Sequence, residues 1–391
     1  MGRCYAIDFY VMTNNQLDKL ARQLNGGNVD TPFESIYGAT LPDERVLRER
    51  IDHFIASAHA SEGASNLVSE LDQVLRRLYT TVPMPNLAFS QPSLEAVVVA
   101  DGSRPVFFLQ DDELKTVGEP NGPFVDFVTA NEAALLSVGR SVGRIETDDR
   151  LPPPGVDKWY EGTAFMVAPG VAMTNRHVIE RMIFESESDS GPFTLRARYW
   201  LNFGAEYGGM RQARFAIDGV LYAGDRVIGS GGDLTKLDLA LLRVGMAELP
   251  GDTQPGPLPL CSKAIPLGAK VALIGYPAAP RIYSGNGIPP ADYELESVMR
   301  NVFDGRFGYK RCASGQVEAI AGFPTDAQRW TIEHDASTLS GNSGSPVVGV
   351  VDGAMQVSAL HFSGLPRHAN FAHVFERLVG ELEGYGLSFS R

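Results

Sequence analysis

Cysteine is nearly absent: Cys4, Cys261 and Cys312 are the only three in 391 residues, odd in number and far apart. Small secreted scaffolds are stapled by a dense, even set, so a disulfide framework is excluded and a reducing, cytoplasmic setting is expected. Long hydrophobic runs are missing as well, since nowhere do about 20 apolar residues follow one another, which excludes a membrane-spanning helix. The opening MGRCYAIDFYVMTNN has one Arg and a short apolar stretch broken by Asp8, and it fits neither a signal-peptide core nor an anchor. No membrane partner is expected. Basic runs are also lacking: 34 Lys and Arg stand against 47 Asp and Glu, for a net charge of −13. Phosphate backbones need clustered cations, so no nucleic-acid partner is expected. There is no internal repeat of fixed period, and no low-complexity tract beyond Pro152 to Pro154.

What is present suits a soluble, two-domain chain. The length exceeds the usual size of a single core, 44% of residues are hydrophobic and 21% charged, and 41 Gly with 25 Pro point to many turns and strands. Near the amino terminus the pattern is helical. Leu17, Leu20, Ala21 and Leu24 fall at i, i+3, i+4 and i+7 before Gly26-Gly27. A second apolar face carries Val46, Leu47, Ile51, Phe54, Ile55 and Ala58, and a third Leu67, Leu71, Val74, Leu75 and Leu78. Three such faces need one another for burial, so residues 1–82 are expected to form a small helical bundle. Residues 83–130 read as a linker in which LEAVVVADGSRPVFFLQ forms a hairpin about Asp101-Gly102. From 131 to 391 short β-rich runs alternate with Gly and Pro turns, among them SVGRIE, DLALLRV, VALIGYP and SPVVGVV, which suggests barrels or sandwiches. FAHVFERLVGELE closes the chain with a helical face of Phe371, Val374, Phe375, Leu378 and Val379.

Three short motifs carry chemistry. TNRHV contains His177 at the end of an apolar hairpin, DLALL begins with Asp238, and LSGNSGSP contains Ser343 between polar turn residues. Taken singly, each has an ordinary structural meaning: a core imidazole, a strand cap, a turn hydroxyl. Together they place His, Asp and Ser in one chain order, that of one of the three unrelated folds sharing this constellation. A serine flanked by glycines can expose its hydroxyl while neighbouring N–H groups point at one spot, as a nucleophile with an oxyanion hole requires. Asp233 is a rival to Asp238, which is preferred because the apolar strand after it would draw it inward.

TNRHV, DLALL and GNSGSP, with GTAFMVAPG before the histidine, resemble the signature blocks of the chymotrypsin-like serine peptidases in their bacterial form, from about Val138 to the carboxyl terminus. The resemblance implies two six-stranded antiparallel β-barrels, with His177 and Asp238 from the first and Ser343 from the second. It implies Ser343 as nucleophile, His177 as general base then acid, Asp238 as orienting anion, and the amides of Gly341 and Ser343 as oxyanion hole. A protein or peptide substrate is expected, and no metal or organic cofactor. The alternative from another class is a catalytically silent peptide-binding module with the same fold. A PDZ-bearing stress protease fits less well, because its nucleophile block ends GGP where this chain has Ser345, and only about 45 residues follow Ser343.

ASTLSGNSGSP followed by SALHFSG is similar to the glutamyl endopeptidase branch, which implies Thr338 and His361 as partners of an acidic side chain. Both have plain alternatives, as a strand threonine and a core histidine. Phe362, Ser363 and Gly364 would pair with the substrate backbone. Ser337 stands where trypsins keep an anionic pocket residue, so cleavage after Arg or Lys is not expected. The residue before Ser343 is Asn342, and no IVGG-type terminus opens this domain, so activation by zymogen cleavage is not expected. Two gates are candidates: the insertion from Pro280 to Arg311, and the amino-terminal helices. The latter resemble in architecture the adaptor-like domains fused to peptidases in bacterial immune systems, which would make them a partner-binding or regulatory module.

Overall fold

The computed structural model describes residues 103–116, 118, 120–152, 156–184, 192–209, 213–224, 228, 236–279, 299–319, 328–365 and 369–390. All belong to the unit Ala88–Arg391. The expected amino-terminal helical bundle and the first half of the expected hairpin about Asp101-Gly102 lie outside the described residues.

The first barrel closes in the order β3 (Val142–Thr147), β4 (Trp159–Ala168), β5 (Val171–Thr174), β8 (Ala240–Ala247), β7 (Arg214–Ala223), β6 (Tyr199–Asn202) and back to β3. After the short β9 (Leu260–Cys261), which pairs with β14 outside the ring, the second runs β10 (Lys270–Gly275), β13 (Pro346–Val351), β14 (Ala354–Leu365), β15 (Ala369–Val374), β12 (Thr331–His334) and β11 (Arg311–Ala319), and the pairing of β11 with β10 shuts it. These are the two closed six-stranded antiparallel barrels of a chymotrypsin-like fold. Among the described residues no helix is long and apolar enough to cross a membrane.

The apolar runs are continuous because both faces of many strands are buried. In β4, Ala164 and Met166 fill the first barrel while Phe165 and Val167 join the large cluster shared by both barrels. Likewise Val271 and Leu273 of β10 fill the second barrel, and Ala272 and Ile274 turn to the shared cluster. Successive side chains alternate sides of a strand, so one apolar hexapeptide serves two cores. The shared cluster is what holds the barrels in register.

Three local outcomes differ from the sequence expectations. VFFLQ forms β1 (Val106–Gln110), which turns back onto β2 (Glu113–Thr116) in a hairpin the sequence reading did not contain. The turn is Asp111-Asp112, both at positive φ of 54° and 60°, the backbone a two-residue type I′ hairpin requires. Second, β1 also pairs with β11, and two helices follow, α1 (Pro123–Ala130) and α2 (Glu132–Arg140). SVGRIE, residues 141–146, supplies β3 from Val142 onward as expected, directly after a helix that the strong helix formers of Glu132 to Leu136 carry through Arg140. Third, Phe371 and Val374 are not helical. They lie in β15, between β14 and β12, and helical turns begin only at Phe375, reaching α4 (Val379–Leu382). The spacing of Phe371 and Phe375 suits either period, and pairing on both sides decided it for a strand.

Candidate active site

His177 sits on α3 (Arg176–Glu180), a single helical turn after β5. Asn175, the residue that opens that turn, makes no cap with its side chain. Its Nδ2 instead donates to the Asp238 carbonyl at 2.8 Å. Asp238 lies just ahead of β8 and is 2% exposed. Its carboxylate accepts twice from the same residue: the His177 backbone N–H reaches Oδ1 at 2.9 Å, and Nδ1 lies 2.5 Å from Oδ2. Burial alone would raise the acid's pKa, yet the imidazole's charge and these two hydrogen bonds hold it below the usual carboxylate range. An ionised Asp238 assigns the proton to Nδ1 and leaves Nε2 of His177 with its lone pair.

Ser343 lies in a tight turn between Leu339 and β13. Asn342 N–H donates to the Leu339 carbonyl at 3.1 Å, and Ser345 N–H to that of Asn342 at 2.9 Å. Gly341 at φ 91° and Gly344 at φ 88° make the turn possible. A Cβ on Gly341 would fall 2.5 Å from the Tyr276 carbonyl, and one on Gly344 would fall 2.0 Å from that of Thr163, so both positions exclude a side chain. Among the described residues, the N–H groups of Gly341 and Ser343 donate to no protein carbonyl.

The turn is fastened to the first barrel through Thr163 of β4. Its N–H donates to the Ser343 carbonyl at 2.9 Å and its Oγ1 to the Gly341 carbonyl at 2.8 Å. Gly162 beside it packs against both the Ser343 carbonyl and Val178, the neighbour of His177. A second fastening runs through Arg144 of β3, which is wholly buried, paired with Glu146, and bonded to both carboxylate oxygens of Asp157. Its Nη1 also donates to the Gly308 carbonyl at 2.5 Å. Gly308 N–H in turn holds the Pro277 carbonyl, which also accepts from Tyr160. Next to Pro277, Ala278 N–H donates to the Ser340 carbonyl at 2.5 Å. Thr163 and Arg144 escaped the sequence reading, although Thr163 stands inside the GTAFMVAPG block.

Thr338 and His361 are both buried. The Thr338 hydroxyl donates to Asn370 Oδ1 at 2.5 Å, and Asn370 Nδ2 donates to the Ala336 carbonyl. His361 Nδ1 lies 3.3 Å from Nε2 of His334 on β12. Burial lowers the pKa of His361 well below its ordinary value, with the imidazoles of His334 and His177 adding to the effect; burial brings His334 to about 4. Phe362 is buried, Ser363 half-buried and Gly364 buried, all within β14. Ser363 and Gly364 pair with β15, the register shifting at Phe362, whereas β13 follows β14 only as far as Leu360. Asp233 lies outside the described residues. Of the Pro280 to Arg311 insertion, residues 299–310 are described, and Met299, Val302, Phe303 and Phe307 pack with Val106, Ala313, Ala336 and Leu339. That part is core, not a solvated excursion.

Comparison with known proteins agrees with this architecture. The trypsin-like peptidase domain family matches residues 162–355, and a probable serine protease from Lysobacter enzymogenes is 32% identical over 316 residues, covering 76% of each chain. The chain belongs to the trypsin-like serine peptidases. It is a serine endopeptidase, and its substrates are proteins or peptides. Among solved structures, the peptidase is similar to the inactive form of the M. tuberculosis protease Rv3671c, at 17% identity over 66% of this chain and 96% of that one with a TM-score of 0.36. It is also similar to neuropsin of mouse brain, at 12% identity over 63% and 95% with a TM-score of 0.40.

Proposed function

We propose that the peptidase cleaves peptide bonds with Ser343 as nucleophile, His177 as general base and then acid, and Asp238 as the anion that orients and stabilises the imidazolium. The observation that carries this reading is the doubly bonded His177–Asp238 pair in the barrel to which the Ser343 turn is fastened. His177 Nε2 takes the Ser343 proton as Oγ attacks the scissile carbonyl. The tetrahedral oxyanion is received by the amides of Gly341 and Ser343, which have no other acceptor among the described residues. His177 then protonates the departing amine, and water activated by the same Nε2 releases the acyl group. Ser343→Ala and His177→Ala should each lower kcat on a peptide substrate by about 10⁴-fold or more, with the folded melting transition retained. A fluorophosphonate should label the wild type but not Ser343→Ala. Undiminished hydrolysis in both variants would contradict these roles, and a folded wild type that neither labels nor cleaves would identify a silent peptide-binding module.

The same reading extends to an acidic residue before the scissile bond, through His361. Thr338 has given its hydroxyl to Asn370, so the imidazole is the donor that remains. Nδ1 of buried His334 has no hydrogen-bond partner among the described residues, and an orphaned lone pair is cheaper to bury than an orphaned N–H. Hence His334 carries its proton on Nε2, donates to His361 Nδ1, and leaves His361 with Nε2–H for a substrate carboxylate. A bound carboxylate would raise the His361 pKa and strengthen that bond. At Phe362 to Gly364 no described strand pairs with β14 on the side opposite β15, which suits a substrate strand. His361→Ala should depress kcat/KM after Glu by about 10- to 100-fold and leave other cleavages little changed; equal losses on all peptides would remove the pocket role. Residues 1–82, with three apolar faces in sequence, are read as a partner-binding or regulatory segment, in keeping with a role in bacterial defence or signalling.

A further inference from the structure

The pairing with His177 accounts for the carboxylate of Asp238 but leaves open what holds its main chain, and that group comes from the other barrel. The backbone N–H of Asp238 donates to Nε2 of His373 at 3.1 Å, across 135 positions of sequence. His373 is on β15 and is wholly buried. Phe362 lies flat against its ring, 4.0 Å between centroids and 10° between planes, and Trp330 meets it at a steep angle. An imidazole held between two aromatic rings keeps one orientation, so Nε2 is a fixed acceptor. Accepting there requires the neutral form and puts the ring's own proton on Nδ1, where it makes only a weak interaction with the Trp330 backbone and no full hydrogen bond among the described residues. Burial supplies it, lowering the pKa to about 4 even though Asp238 opposes that shift.

We propose that His373 is a positioning residue of the peptidase, which anchors the Asp238 main chain across the barrel interface and so sets its carboxylate against His177. This rests on the roles given above to His177, Asp238 and Ser343. Residue 238 needs such an anchor because it precedes β8, whose pairing with its neighbours begins at Ala240. The strand ladder therefore does not hold the Asp238 N–H. The carbonyl is tied to Asn175 and the N–H to His373, one from each barrel, and the carboxylate has both oxygens committed to His177. A 2.5 Å contact between Nδ1 and Oδ2 has no slack, and a displacement of about 1 Å in such a constellation is worth about 10²-fold in rate. None of the three catalytic motifs contains His373.

The test compares His373→Gln and His373→Leu in the full-length protein. A glutamine amide oxygen can occupy the position of Nε2 and accept from Asp238; a leucine of similar bulk cannot. The leucine variant should lose about 10²-fold in kcat on a peptide substrate with KM within about threefold of wild type, and the glutamine variant should recover most of that loss. Wild-type kcat in His373→Leu would overturn the proposal, as would equal losses in both variants at equal melting temperature. Should His373→Leu fail to fold, His373→Asn, whose amide is too short to reach, takes its place against His373→Gln with the same two outcomes. Asp238→Asn and Ser343→Ala run alongside: their inactivity with an unaffected His373→Leu defeats this proposal alone, whereas undiminished hydrolysis in both defeats the triad reading and this proposal with it.

Discussion

His334, His361 and His373 are buried side by side around the candidate site, and burial keeps all three neutral. That has a consequence for stability. In the unfolded chain each takes up a proton near pH 6.5, whereas His334 and His373 do so in the folded protein only at about 4. Between those values the unfolded state holds more protons, so stability rises with pH and drains away on acidification from 6.5 toward 4. Asp335 near His334 and Asp238 near His373 oppose the shifts without cancelling them. Asp238 itself adds stability above its unfolded value and loses it only in stronger acid, outside this window. The unfolding free energy from urea titrations should therefore fall between pH 7.5 and 4.5, by on the order of 3 kcal/mol per fully shifted histidine. A flat profile across that range would show that these imidazoles are charged in the fold. At this scale His177, Asp238 and Ser343 were legible as candidates because each stands in a short local motif. His334, Asn370, Thr163 and His373 were not, since nothing within a few residues of any of them names the partner it meets.

Elements were legible where periodicity and turn chemistry agreed. AFMVAPGVAMT reads as a hairpin and is one, β4 and β5 turning at Pro169-Gly170 with Gly170 at φ 72°. Asp111-Asp112 was passed over because Asp101-Gly102 is the stronger turn signal, and αL is unusual for two aspartates in a row. The carboxyl-terminal stretch failed for another reason. Asn370 and His373 are polar yet wholly buried, bonded to Thr338, Ala336 and Asp238, so apolar spacing alone could not report that they are inside. A strand with polar residues turned inward looks, to periodicity, like the exposed face of a helix.

At the scale of the molecule, the two barrels share one apolar cluster and a few long-range polar ties. Arg144 is the most deeply committed of these, with Glu146, Asp157 and the Gly308 carbonyl of the second barrel all on one guanidinium. Replacing it by Met would leave the buried Glu146 with less compensation and the Gly308 carbonyl without that donor. We expect Arg144→Met to destabilise the fold by about 3–5 kcal/mol, read from urea unfolding. It should also reduce kcat more than KM, because the Gly308 to Pro277 link reaches the Ser340–Gly341 turn. A variant as stable and active as wild type would show that the tie is dispensable.

By itself, the sequence determined the family, many of the barrel-forming strands and the short motifs from which His177, Asp238 and Ser343 were chosen, because glycine turns, strand periodicity and motif order are local properties. Tertiary structure alone decided which buried polar groups meet: Thr163 with the Ser343 turn, Thr338 with Asn370, His373 with Asp238. Each of those bonds joins residues that approach only when the strands of two barrels close and dock, and a buried donor must find its acceptor in space, wherever in the chain that acceptor lies.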